Sequence, residues 1–441
     1  MQTNLLARVS RLLFLVAALP LLSPLLGSAG GLVWSDRPSG TKAIRAGNFD
    51  GSNVRNLYSS AGDPRGVIVD AAAERVYFCD RFSGSTSGEI NSVPLAGGVR
   101  EQHVTGLNRP ADLRFDAAAR TLYWCEENAG LIRSAPLPLA GGTLTPQTLF
   151  SGVPSPYYLD IDPAGAKLYW GSSASSLTSG PLAGGTPDAP LYNAGLNMRG
   201  VAVDAAAGMI YWTERDARVI RRRAIAGGPV EDLYTGLDTP HGLVLDLAAR
   251  KLYWVDTGTG GVGGFNARGV SRGEMDGASA GAAEVIVPGA AINQPWDLDL
   301  DPRTGNYTEW VARFFRFDAP AANKLAAADP DGDGASNLAE YAFGTSPVLA
   351  SSVPRIEWVK TLVDGGEYPG IRFLRRAQTG GLDYRIQMTL DFVTWFENDT
   401  IPTTTEVSVS VPDTEGMETV TVRSLDAIDD APRQLFRVKV E

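Results

Sequence analysis

Two short motifs alternate six times along this chain, and that repetition restricts its possible architectures more than any other feature. One motif is an apolar strand ending in aspartate: Val67-Ile68-Val69-Asp70, Leu113-Arg114-Phe115-Asp116, Leu159-Asp160-Ile161-Asp162, Val201-Ala202-Val203-Asp204, Leu243-Val244-Leu245-Asp246 and Leu298-Asp299-Leu300-Asp301. The other is an aromatic pair followed by polar or acidic residues: Tyr77-Phe78-Cys79-Asp80, Tyr123-Trp124-Cys125-Glu126, Tyr169-Trp170-Gly171-Ser172, Tyr211-Trp212-Thr213-Glu214 and Tyr253-Trp254-Val255-Asp256. Each of the first five aspartates precedes its tyrosine by 7 residues. Successive aspartates are 46, 46, 42, 42 and 55 residues apart, which is room for four short strands and their turns. The long last interval holds a glycine-rich insertion around Gly258 to Gly264.

The sixth aromatic motif is displaced to the front of the chain, where Val33-Trp34-Ser35-Asp36 is followed by Ile44-Arg45. Radially packed four-stranded sheets must close into a ring, or their end faces stay unburied and their edges unpaired. The front strands are therefore expected to complete the sheet that contains Leu298 to Asp301. The fold class follows as all-β: a six-bladed β-propeller closed by N-terminal strands, with the aromatic pairs packed between blades.

These motifs resemble the YWTD, or low-density-lipoprotein-receptor class B, repeat, whose family forms a six-bladed propeller. The resemblance spans residues 30–305. Single copies depart from it: Phe78 stands for the tryptophan, Gly171-Ser172 lacks the acid, and only Tyr211-Trp212-Thr213 keeps the full aromatic-threonine core.

A propeller is a scaffold, so function must come from positions where the repeats differ. Just before each aspartate-terminated strand is a loop position occupied in turn by Arg65, Ala111, Tyr157, Arg199, His241 and Trp296. If those strands line the central channel, the six residues ring one mouth. Arginine, histidine and aromatic side chains suit anions and flat sugar or aromatic faces. The expected function is thus a protein- or glycan-binding module, with Arg65, Tyr157, Arg199, His241 and Trp296 as contacts. A solvated loop that tolerates any large polar residue would give the same pattern. The alternative class is a propeller enzyme of lactonase or lyase type acting at the channel mouth. Its parts are sparse, since His103 and His241 are the only histidines and neither a nucleophile elbow nor a histidine metal spacing is present. Cys79 and Cys125 occupy equivalent places in successive blades, too far apart for a disulfide, and read as buried free thiols.

After Asp301 the repeat stops. Tyr307, Trp310, Val311, Phe314 and Phe315 predict a short amphipathic helix, and Ala319 to Ala328 a weak one. Between them and the tail runs Asp329-Pro330-Asp331-Gly332-Asp333-Gly334-Ala335-Ser336-Asn337-Leu338-Ala339-Glu340. Oxygen donors at loop positions 1, 3, 5, 7, 9 and 12 with glycine at 6 are what a Ca²⁺ ion requires. Asp329, Asp331, Asp333, the Ala335 carbonyl, Asn337 and Glu340 fill them in order, so a structural Ca²⁺ is the expected cofactor. The loop resembles the single calcium loops of dockerin-like and thrombospondin type 3-like segments. Alternation at Ile371/Phe373, Tyr384/Ile386/Met388, Val407/Val409/Val411, Val420/Val422 and Phe436/Val438/Val440 predicts a small C-terminal β-sandwich. Together with Leu338 to Gly344 and Phe392-Val393-Thr394-Trp395, it resembles C-terminal regions of secreted verrucomicrobial-type proteins.

Four segments result: a signal peptide (1–29), the propeller (30–305), a helical linker with an EF-hand-like calcium loop (306–350) and the β-sandwich domain (351–441). The first carries Arg8 and Arg11, an apolar run from Leu12 to Leu26 broken by Pro20 and Pro24, and Gly27-Ser28-Ala29 for cleavage. That run is too short to span a bilayer, so a bacterial product secreted to the exterior or cell envelope is expected, with no membrane span in the mature chain. The net charge of −11 argues against nucleic acid and leaves an extracellular protein or carbohydrate as the partner.

Overall fold

The computed structural model describes residues 30–441 except 38–41, 61, 83–85, 139–140, 174–175, 194–196, 259–267, 277–282, 305, 378–381, 391–393, 398–403, 414 and 428–433. Residues 1–29, read above as a signal peptide, the glycine-rich insertion beyond Gly258 and Phe392-Val393 lie outside the described residues. Six four-stranded antiparallel sheets form the blades. Their innermost strands are Asp63–Asp70, Pro110–Asp116, Pro156–Asp162, Met198–Asp204, Pro240–Asp246 and Pro295–Asp301, here taken as blades one to six. Each touches the next, and the sixth touches the first, so the ring is closed. Blade six is built as expected: Gly31–Asp36 pairs with Pro295–Asp301, Val33 opposite Asp299 and Trp34 opposite Leu298. Lys42–Gly47 and Arg55–Ser60 complete it.

The repeated aspartate has a mechanical explanation. Asp70, Asp116, Asp162, Asp204 and Asp246 each accept a hydrogen bond from a main-chain N–H two or three residues on, at 2.8–3.1 Å, which folds the turn into the aromatic strand. The turns close through a left-handed residue at Glu74, Arg120, Ala166, Gly208 or Arg250. Blade packing is aromatic, as expected. Trp170, Trp212 and Trp254 each lie 5.0 Å from a ring on the outermost strand of the preceding blade, Phe150, Tyr192 and Tyr234 respectively, and Phe78 lies 5.8 Å from Tyr58. Every one of those partners stands 20 positions before its mate. Cys79 and Cys125 are both buried and free.

Beyond Asp301, helix α1 (Tyr307–Phe314) forms where expected, capped by Asn306, whose side chain accepts from the Glu309 N–H. Its C-terminal carbonyls are satisfied from the propeller: the buried Arg272 guanidinium donates to Ala312 O (2.6 Å) and Phe315 O (2.8 Å). The weak helix read over Ala319 to Ala328 is only a 3₁₀ turn, Ala321–Lys324, because nothing buries a face of it. After the acidic loop comes helix α2 (Asn337–Phe343).

The tail is a two-sheet sandwich. Ile356–Val363, Gly366–Arg376, Met417–Ser424 and Thr404–Val409 form one sheet, and Phe396–Glu397, Tyr384–Thr389 and Leu435–Val440 the other. Ile371, Phe373, Val420 and Val422 pack against Tyr384, Ile386, Phe436 and Val438. Val407, Val409 and Val411 do not join this core. A bulge between Glu406 and Ser408 breaks the alternation on an edge strand, and these valines are 43%, 40% and 87% exposed. Among the described residues no helix is long and apolar enough to cross a membrane.

Candidate functional site

The residues read as a loop ring lie inside the innermost strands, each at or beside a β-bulge. Pairing skips from Pro64 to Val67, Pro110 to Asp112, Pro156 to Tyr158, Arg199 to Val201 and Pro240 to Leu243, and in blade six from Pro295 to Leu298. A bulge re-aims the side chain it carries. Five of the six are buried: Arg65, Ala111, Tyr157, Arg199 and His241 are at most 6% exposed, whereas Trp296 is half-buried.

The structure brings them into two stacks. Trp296 takes the Arg65 guanidinium at 4.0 Å and that of Arg37 at 4.3 Å from its ring centre, with the His241 ring at 3.9 Å. Tyr157 takes Arg199 at 4.0 Å and Arg81 at 5.6 Å. Asp63 pairs with both Arg37 and Arg65. Ala111 contributes only the absence of bulk. Arg37, Arg81 and Arg215 were missed in the sequence, although a signal existed: each directly follows the acidic residue that ends an aromatic motif, as Asp36-Arg37, Asp80-Arg81 and Glu214-Arg215.

The electrostatics are predominantly cationic, although Asp63 pairs with Arg37 and Arg65, Glu127 with Arg81 and Asp216 with Arg215. Burial and then neighbouring arginines push the Arg65 pKa down to about 10, while burial lowers that of Arg199. Burial, with the charges of Arg199, Arg65, Arg215 and Arg37, holds His241 well below the usual histidine range, so it is neutral at pH 7. Arg65 Nε and Nη1, Arg199 Nε and Trp296 Nε1 are buried donors that find no acceptor among the described residues; His241 Nδ1 is also buried and unpartnered.

Below the mouth the channel is plugged. Tyr158, fully buried on blade three, donates from its hydroxyl to Trp296 O on blade six at 2.9 Å. Next to it Asp112 and Asp297 share a hydrogen bond, and Arg114 pairs with Asp112 at 2.9 Å. Burial raises the pKa of Asp112, and that of Asp297 to about 6. These carboxylates also stitch blades together, since the N–H groups of Val67, Val69, Leu159 and Val203 donate across to Asp297, Asp299, Asp112 and Asp160. Further down, a cavity of about 170 Å³ opens at the turn end, lined by Ile68, Arg114, Asp160, Val244 and Asp299 among others.

The second candidate site is the acidic loop. Carboxylate oxygens of Asp329, Asp331 and Asp333 lie within 4.8 Å of one another. Each aspartate spends at least one oxygen on a loop N–H: Asp329 accepts from Gly332 and Gly334, Asp331 from Asp333, Asp333 from Ala335. Gly334 at position 6 adopts φ 94°, where a side chain would be strained. Asn337 and Glu340 are fully buried on the first turn of α2. The Asn337 amide nitrogen donates to Asn323 O and Leu325 O, both at 2.8 Å, which leaves its oxygen free. Asp331 Oδ2, Asp333 Oδ2, Asn337 Oδ1 and both Glu340 carboxylate oxygens are buried and accept nothing from the described residues. Burial, then Asp331, Asp333 and Asp329, raises the Glu340 pKa to about 8. Main-chain N–H groups are the donors the aspartates have, Leu349 adding one for Asp331, and a cluster of buried oxygens with so few donors fits a hard divalent cation. The mouth is the converse, a set of donors short of acceptors.

No family profile matches the chain, and no curated protein does. Among solved structures, one of a nidogen/laminin complex is similar, with TM-score 0.51 and 17% identity over 62% of this chain and 98% of that one. Also similar are a protein from Lactobacillus plantarum (TM-score 0.44, 13% identity, 62% and 99%) and a candidate 6-phosphogluconolactonase from Bacteroides fragilis (0.43, 12%, 62% and 98%). At these identities the likeness is one of fold, and the class it supports is the β-propeller.

Proposed function

We propose that this is a secreted, calcium-binding multidomain protein whose propeller recognises an acceptor-rich, anionic group on an extracellular protein or carbohydrate. The observation that carries the reading is the set of unmatched buried donors on Arg65, Arg199 and Trp296, flanked by Arg37, Arg81 and Arg215, in a chain whose net charge is −11. Leaving such donors unpaired costs about 1–3 kcal/mol each, and a ligand carrying carboxylate or sulfate oxygens would relieve that cost. A similar propeller solved in a complex named for nidogen and laminin accords with a protein ligand.

Ca²⁺ would be held by Asp329, Asp331, Asp333, the Ala335 carbonyl, Asn337 and Glu340, supplying positive charge among four carboxylates. The lactonase- or lyase-type enzyme is the competing reading. His241 would have to be its base, and a histidine whose basicity is lowered by burial and then by surrounding cations is a weak one at pH 7.

The test is an array of acidic and neutral peptides and glycans probed with the full chain. Binding to anionic members should weaken with added salt and drop at least about tenfold in Arg65→Ala and in Arg199→Ala, the loss of one charge-assisted contact. Unchanged binding in both variants would dispose of the mouth. Lactone turnover that disappears in His241→Ala would put the enzyme in its place.

A further inference from the structure

We infer that Ca²⁺ binding latches the C-terminal sandwich onto the propeller through α2. The inference rests on the calcium reading above and adds what the ion does for the rest of the molecule. Seven residues are too few for a helix to persist on its own, so α2 needs both its ends held. Its first turn belongs to the acidic loop: Asn337 and Glu340 sit there with oxygens that nothing in the described protein satisfies. The last turn belongs to the sandwich. Arg376 Nε donates to Tyr341 O at 2.5 Å and the Tyr384 hydroxyl to Ala342 O at 2.6 Å, so two sandwich side chains cap carbonyls the helix cannot bond internally.

The residues that follow Glu340 are divided between two cores. Tyr341 packs with Trp310, Phe314 and Phe315 of the linker and with Ala249 of blade five, its ring 5.8 Å from that of Trp310. Ala342 and Phe343 enter the sandwich core beside Ile371, Phe373, Val420 and Val422. Ser346, just past the helix, donates to Ala248 O of blade five at 2.7 Å. Two turns of helix thus carry two ion ligands, a residue buried against the propeller side and two buried in the sandwich. Without the ion, the carboxylates of Asp329, Asp331 and Asp333 crowd one another, and the buried oxygens of Asn337 and Glu340 are left without a partner at the point where the helix is anchored. The first turn then keeps its Ser336 cap and the Asn337 amide bonds to Asn323 O and Leu325 O but loses its hold on the acidic loop, and both attachments loosen together.

The latch acts at the turn end of the channel, where blade five presents Ala248 and Ala249, and so leaves the Trp296 mouth clear. The experiment uses the full chain. Ca²⁺ binding is read by calorimetry and by sensitised terbium luminescence, and docking by small-angle scattering and hydrogen exchange over 337–346. Chelation should enlarge the radius of gyration and speed exchange in that segment by about tenfold or more, as for local release of a helix. Asp331→Asn and Glu340→Gln should do the same at Ca²⁺ concentrations that saturate the unaltered chain. Tyr341→Ala, which touches no ligand, should loosen docking yet still bind the ion. If the ion binds but scattering and exchange are the same with and without it, the latch is wrong and the calcium site survives. Absence of binding by both methods would remove the calcium site and the latch with it.

Discussion

The Tyr158 hydroxyl donates a 2.9 Å hydrogen bond to the main-chain carbonyl of Trp296, 138 residues away on the facing blade. A single side chain therefore spans the axis and supports, from beneath, the bulge on which Trp296 stands. Tyr158→Phe keeps the plug and removes the bond. It should cost about 1–3 kcal/mol, the loss of a buried hydrogen bond that leaves a carbonyl unmet. Thermal unfolding would show this as a lower Tm, and an unchanged Tm would mean the bond does not bear on stability.

Asp299 makes stability depend on pH. Burial raises its pKa to about 7, against the pull of Arg114 and the Val69 N–H and with a push from Asp160. The folded chain therefore keeps this proton to a higher pH than the unfolded chain, whose aspartates titrate near about 4. Between those limits the native state binds more protons, so this group's contribution to stability falls as pH rises from about 4 to 7. Asp299→Asn, which can still accept from Val69, should remove that fall and raise Tm at pH 8 more than at pH 4. Parallel melting curves for the two proteins across this range would contradict the assignment.

Arg313 on α1 binds Asp246 of blade five through Nε (2.6 Å) and Nη2 (2.9 Å), both side chains buried. Two of the equivalent aspartates are met by an arginine of the following blade, Asp70 by Arg120 and Asp204 by Arg250, whereas Ala166 and Gly208 stand at that position in the blades after Asp116 and Asp162. Blade six lacks that turn because its first two strands come from opposite ends of the propeller, and α1 fills the place. Arg313→Met should destabilise the chain by about 3–5 kcal/mol by stranding Asp246. Adding Asp246→Asn should recover part of the loss, as denaturant titration would reveal.

Gly66 lies where blade two comes closest to blade one. A Cβ there would stand 2.5 Å from the Asp112 Cα, which is backbone and cannot give way. Gly66→Ala should therefore cost at least about 1–3 kcal/mol through overpacking. A urea midpoint equal to that of the unaltered chain would show that the inner strands separate more easily than this packing implies.

The blade count, the ring closure and the aromatic packing were all legible because each blade repeats the same local problem at a fixed period. The clustering of Asp329, Asp331 and Asp333 was legible for a similar reason, since their spacing is written along one short segment. The outer-strand partners Tyr58, Phe150, Tyr192 and Tyr234 escaped despite their 20-residue step, because a single aromatic on a polar strand carries no pattern of its own. Strand Ile356–Val363 escaped too, its sequence lacking a clear alternation.

Sequence alone determined the elements whose cause is local: an aspartate that folds its own turn, a glycine where the acidic loop turns left-handed, a tryptophan (or Phe78 in its place) in every blade. What only tertiary structure decided is which distant side chains meet. Arg65 and Trp296 meet because bulges on separate strands turn them toward one point, Arg37 joins them from just beyond the strand Gly31–Asp36, and Tyr158 finds Trp296 because the ring brings opposite blades within one side chain's length. Such encounters depend on the closed geometry of the whole ring, and no stretch of chain encodes them by itself.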